Sequence, residues 1–223
     1  MKEDITQLSL QRVNWSELES GQKSGLLRRP VSRQENLQES VAEIIQAVRE
    51  GGDSALQALT LRLDGVKPVR FELGPEEIEA AMNRVDPELI RALKDAASRI
   101  EAFHMADLPR DESVETAPGL TCRVRYQPLS PVGLYIPGGS APLVSTVLML
   151  AIPARIAGCR DVVLCSPPGK DGRIADEILA AACLCGVRQV FCVGGAQAIA
   201  AMAFGAGSVP RCRKIFGPGN AWV

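Results

Sequence analysis

VGLYIPGGSAPLVSTVLMLAIPARIAGCRDVVLCSPP, residues 132–168, decides the fold of this chain. It opens on a short apolar run, passes a Gly-rich turn, continues as an apolar run of helical length, and returns to a second short run. Residues 175–205, ADEILAAACLCGVRQVFCVGGAQAIAAMAFG, and 214–223, KIFGPGNAWV, extend the alternation. The spacing predicts strands at 132–136, 161–165, 189–193 and 214–216, and helices at 144–157, 174–185 and 196–204. Strands that are apolar along their whole length belong to parallel sheets with helices on both faces. No helix follows the last strand and its turn in the sequence. The expected fold class is therefore α/β: a helical N-terminal region, then a Rossmann-like, mostly parallel three-layer sheet domain that is incomplete at its C-terminus.

Upstream of Pro131 the pattern is different. Ser32 to Glu35 read as a capping box, and Leu37, Val41, Ile44, Ile45 and Val48 follow at helical spacing. Gly51-Gly52 is expected to end that helix, with Asp53 capping the next, which carries Ala55, Leu56 and Leu59. Asp64-Gly65 reads as a turn, and Val69 to Leu73 as a strand. Pro75 and Pro87 sit at the first positions of two further helices. Ser113 to Thr116 and Leu120 to Tyr126 read as two strands around a Pro-Gly turn. The chain thus divides into residues 1–130, helical with a short strand pair, and residues 131–223, the alternating part.

Composition excludes several classes. The 223 residues are 46% hydrophobic, enough to build a core, and the net charge of −1 is made of mixed charges. Without a basic run and with few aromatics, nothing points to nucleic acid. The most apolar segment, Val144 to Ile156, is too short to span a bilayer and contains Pro153. The first residues lack the charged-then-apolar order of a secretory signal. The seven cysteines have no CxxC spacing and sit mostly in apolar runs, as reduced thiols of a cytoplasmic protein do.

Three strand ends are Gly-rich: Tyr135 to Ser140, Val193 to Gln197, and Gly217 to Asn220. In an open parallel sheet, ligands lie beyond the carboxyl ends of the strands. Tyr135, Gln197 and Asn220 are expected on one such edge, where a phenol and two amides can hydrogen-bond a ribose, a phosphate or a base. None of the turns fits G-x-G-x-x-G or a P-loop, so glycines that only shape strand-to-helix turns remain the alternative. The acid–base inventory is thin. His104, the only histidine, falls at a helix end, and Asp176 and Glu177 read as helix-start charges. No catalytic set and no metal-ligand set can be assembled from these residues.

The runs VGLYIPGGSAPLVSTVLMLAIPARIAGC, VGGAQAIAAMAFG and KIFGPGNAWV closely resemble histidinol dehydrogenase, and the resemblance extends from about Val13 onward. It implies oxidation of L-histidinol to L-histidine, the last steps of histidine biosynthesis, with NAD and a bound zinc ion in a homodimer. It also implies that Tyr135, Gln197 and Asn220 contact NAD. By the same resemblance the zinc ligands and the catalytic Glu-His pair follow the GPGN segment. None of them occurs here, so the expectation is an N-terminal portion with no catalytic or metal residues and no activity alone. The rival expectation is a non-catalytic nucleotide-binding or subunit-contact module from a truncated gene.

Overall fold

The computed structural model describes residues 12–28, 37–138 and 141–223. The capping box at Ser32 to Glu35, and Gly139 and Ser140 of the first Gly-rich turn, lie outside the described residues. Contacts divide the chain between Glu35 and Asn36. In the first unit, a 3-10 turn at Trp15–Glu17 precedes helix α1 (Ser20–Leu27). Asn14 accepts the Ser16 N–H at the start of the turn, and Lys23 lies over the Trp15 ring. Glu19 and Gln22 form the capping box of α1.

The second unit carries the sheet. Strands β4 (Val132–Tyr135), β5 (Val162–Ser166), β6 (Gln189–Cys192) and β7 (Lys214–Phe216) pair in parallel, and β1 (Glu72–Leu73) joins β6 antiparallel. The order is β1-β6-β5-β4-β7. Helices α5 (Val144–Ile156), α6 (Asp176–Leu184) and α7 (Gly195–Phe204) link the parallel strands. The expected alternation is present, with ends shifted by a residue or two. Pro153 lies within α5, which continues past it to Ile156.

The period of two explains why the strands are apolar throughout. Leu134, Leu164, Val190 and Cys192 face one core, with α4 (Pro87–Ala106), α5 and α6 over them. Tyr135, Val163, Cys165 and Phe191 face a second core, covered by α2 (Leu37–Asp64) and α7. This is the three-layer arrangement. The helices of residues 37–106 and the sheet share these cores, and residue 130 marks where the strand–helix alternation begins.

Local signals explain the element starts. Asp86 accepts the Glu88 N–H at 2.7 Å ahead of Pro87 in α4, and Pro75 opens α3 (Pro75–Ala81). Gly52, at φ 51° and ψ −135°, leaves the helical region, so α2 consists of two helices that meet at a kink where Gly51-Gly52 is expected to end the first. One expectation needs correction. Asp53 does not cap its own helix but accepts the Ser208 N–H at 3.0 Å, a tertiary partner no local pattern could show. The expected strand at 69–73 shortens to Glu72–Leu73, because pairing with β6 covers only those residues in register.

The strand pair β2 (Glu112–Ala117) and β3 (Leu120–Val124) forms a hairpin whose residues are exposed throughout. Among the described residues no helix is long and apolar enough to cross a membrane.

Candidate functional site

The order of the strands locates the site. From β4 the chain moves outward to β5 and β6 through α5 and α6, then returns to the other side of β4 as β7 through α7. The connections on the two sides of β4 therefore diverge onto opposite faces, which opens a crevice at its carboxyl end. A cavity of about 530 Å³ lies there. Its walls come from the end of β4 (Tyr135, Pro137, Gly138), the turns after β5 (Pro167, Pro168) and β6 (Gly195, Gln197), and the segment after β7 (Asn220, Trp222). Ile44, Leu63 and Asp64 of α2 close one side.

The three residues expected at a binding edge all line this cavity. Tyr135 is buried, and its hydroxyl accepts the Gly195 N–H at 2.9 Å. That bond holds the start of α7 against the end of β4 and leaves the phenolic proton free to donate. Burial pushes the phenol pKa above its ordinary value, with a smaller push from the nearby Asp64 charge, so Tyr135 stays a neutral donor.

Gln197 is 1% exposed. Its Nε2 donates a long bond to Asp64 Oδ2, 3.4 Å, while Oε1 is buried without a donor among the described residues. A buried amide oxygen left unpaired costs about 1–3 kcal/mol. Asn220 is exposed, and its Oδ1 accepts the Trp222 N–H at 3.0 Å, leaving its amide nitrogen available.

Close approach explains the glycines. A Cβ on Gly194 would stand 2.4 Å from Pro167, and one on Gly138 2.7 Å from the same ring. The loops after three strands therefore meet at Pro167, and side chains there would push them apart. Gly195 adopts φ +62°, a left-handed conformation that sets the first turn of α7. These glycines shape the turns, and the cavity exists because they do.

Asp64 is the residue that the sequence concealed. Asp-Gly there signals only a turn, 71 positions before Tyr135, yet the fold brings its carboxylate to Gln197. The side chain is exposed, yet desolvation by the surrounding protein raises its pKa above the ordinary carboxylate value, and no described ion pair compensates it. Among the described residues no Lys, Arg or His lines the cavity.

The other candidates stay apart from this site. His104 ends α4 with its ring edge-on to Phe103. Asp176 opens α6 and accepts a bidentate pair from Arg84 at 2.8 and 2.6 Å. Glu177 sits in the same first turn. All seven cysteines are unpaired. Burial pushes Cys185 and Cys212 up to about 11 and Cys192 up to about 12, the opposite of an activated thiol. Among the described residues no three His, Cys, Asp or Glu side chains come together as a metal site.

Comparison with known proteins gives a consistent picture. A sequence model of the histidinol dehydrogenase family matches residues 27–223. Histidinol dehydrogenase of Xylella fastidiosa (strain 9a5c) is 52% identical over 212 residues, which are 95% of this chain and 49% of that protein. The enzyme of Salmonella choleraesuis (strain SC-B67) is 51% identical over 212 residues, 95% of this chain and 48% of that protein. The crystal structure of histidinol dehydrogenase from Elizabethkingia anophelis superposes with a TM-score of 0.86 at 41% identity, covering 92% of this chain and 48% of that one. The chain spans about half the length of the curated relatives it matches.

Proposed function

The chain belongs to the histidinol dehydrogenase family, and from that premise we propose that residues 131–223, with Asp64 from the preceding part, form the NAD-contacting portion of an oxidoreductase acting on L-histidinol. One observation carries the reading: Tyr135, Gln197 and Asn220, from three separate strand ends, line a single cavity at the point where the strand order reverses. The donors and acceptors fit a dinucleotide. The Tyr135 hydroxyl and the Asn220 amide can donate, the Gln197 amide oxygen has no donor among the described residues, and beyond Gly195, whose N–H bonds Tyr135, the start of α7 offers N–H groups suited to a phosphate. Pro137, Pro167 and Trp222 offer apolar surface to a ring.

When bound, NAD supplies the hydride acceptor. In this reading the chain's own residues bind and orient it. Tyr135 fixes the start of α7, Gln197 and Asn220 set the register of the ligand, and the proline loops exclude water from one side. The family also implies zinc. The described residues hold no group of ligands that fits one, and no step of this reading runs through a metal. L-histidinol as substrate and a homodimeric assembly are supported by family membership. A cytoplasmic setting is supported by the seven free thiols.

The test is a calorimetric titration of this 223-residue chain with NAD+. Saturable binding that weakens about tenfold in Gln197→Ala, the size expected for one lost hydrogen bond in a desolvated site, supports the reading. No measurable binding, or binding indifferent to Tyr135→Phe, Gln197→Ala and Asn220→Ala alike, would overturn it.

A further inference from the structure

The two ends of the parallel sheet differ in charge. Beyond its carboxyl end the crevice carries Asp64 and, among the described residues, no cation. At its amino end, strands β5, β6 and β7 are each entered past an arginine: Arg160, Arg188 and Arg213. The whole chain has a net charge of −1, so this is segregation of charge and not a basic composition. The starts of β4 and β7 border a second cavity, of about 930 Å³, which brings Arg211, Arg213 and Lys214 together with Ser130 and has no Asp or Glu among its described lining residues. None of the three cations has an ion-pair partner among the described residues. Gathered like charges repel and raise the local potential, most of all beside apolar walls, here Leu129, Ala203 and Ile215.

Arg213 is held in place. Its backbone N–H donates to the Pro131 carbonyl at 2.8 Å and its Nε to the Ser130 carbonyl at 3.0 Å, while no described bond uses its terminal Nη atoms. The Ser130 segment is fixed in turn: its hydroxyl donates to Asp161 Oδ2 at 3.0 Å and accepts the Asp161 N–H at 2.9 Å. Asp161 is thus bound to Ser130 and not to the cations. Lys214 lies over the Phe216 ring, 5.4 Å from its centroid. We propose that this cavity is an anion site for linked phosphoryl groups, as a diphosphate ion or its ester. The planar guanidinium of Arg213 presents its two Nη atoms to phosphoryl oxygens as a fork, and Arg211 and Lys214 supply further charge and donors. Three cations suit a polyanion, whereas a single carboxylate would leave most of that charge uncompensated. The site lies at the opposite end of the strands from the nucleotide crevice and does not depend on what the crevice binds.

Calorimetric titration of the 223-residue chain with sodium pyrophosphate and with methyl diphosphate tests it, with sodium sulfate at the same ionic strength as the control. Saturable binding about tenfold tighter than that of sulfate is expected. Arg213→Gln should weaken it about tenfold, and Arg211→Gln and Lys214→Gln about threefold or more each. Arg160→Gln, outside the cavity, should weaken it by no more than about twofold. Without ligand, Arg211→Gln and Lys214→Gln should melt no lower than wild type, since each relieves repulsion. Binding of either phosphoryl ligand supports the site, and the tighter of the two identifies its source. Sulfate binding as tight as pyrophosphate would mark an unselective cationic surface and overturn the site. So would no saturable binding at millimolar concentration, binding indifferent to all three substitutions in the cavity, or displacement of pyrophosphate by NAD+. A fall in melting temperature in both Arg211→Gln and Lys214→Gln would mean that the cations serve the fold, and overturns it as well.

Discussion

Strand β4 and the β2–β3 hairpin both carry Val and Leu and meet opposite fates. In β4 (VGLY) all four residues are buried between two helical layers. In β2 and β3 (ESVETA and LTCRV) every residue is exposed, and Val114, Leu120 and Val124 are each at least half open to solvent. The hairpin strands interleave Glu112, Glu115 and Arg123 with their apolar residues, and β4 has no charged residue. The partners differ too: β4 has a strand on each side and a helix on each face, whereas among the described residues each hairpin strand pairs only with the other. A lone two-stranded hairpin is marginal in water, so the stability of this unit resides in the sheet and its helices.

The difference can be broken or sharpened by substitution. Phe191, 1% exposed on β6 and packed against Phe71, should give the largest effect. Phe191→Ala is expected to cost about 3–5 kcal/mol in urea unfolding, through lost transfer energy and the cavity left behind. Next comes Gly194→Ala. Its Cβ meets Pro167, and a cost of about 1–3 kcal/mol should accompany weaker nucleotide binding, since the loops that wall the cavity must separate. Asp53→Ala removes the carboxylate that takes the Ser208 N–H and Oγ at 3.0 and 3.3 Å. A loss of about 1 kcal/mol is expected, with faster amide exchange near Ser208 as its local signature.

Asp64 should act in the opposite direction. Desolvation by the surrounding protein raises its folded pKa above the unfolded value, so the folded state holds the proton more tightly. Stability is then lost as pH rises through the folded pKa and is fully present below the unfolded one. Asp64→Asn should therefore melt above wild type at neutral pH and level with it in acid below the ordinary carboxylate range. An Asn variant that is less stable at neutral pH would show that the carboxylate serves the fold rather than a ligand. The smallest effect belongs to the hairpin. Val114→Ala should change unfolding by less than about 0.5 kcal/mol, and hairpin amides should exchange well before those of β4. If it cost as much as Phe191→Ala, the contrast would be lost.

The alternating part was legible because its signals are local. Continuous apolar strands, Gly-rich strand ends and helix-length runs follow from residues a few positions apart. The same is true of Pro75 and Pro87 as helix starts. Tyr135, Gln197 and Asn220 could be grouped because each follows a parallel strand, and parallel strands end on the same edge. Asp53 was misread for the converse reason: the Ser208 N–H that it serves is 155 residues away.

By itself, then, the sequence determined the α/β class, the run of parallel strands, the family resemblance and the three polar residues at the strand ends, because period, turn chemistry and motif wording are written in neighbouring residues. Only the tertiary structure decided that β7 returns beside β4 and opens the crevice, that Asp53 serves Ser208, and that Asp64 stands beside Gln197. Those facts depend on which surfaces pack together across the chain, and packing is a property of the whole fold rather than of any stretch of it.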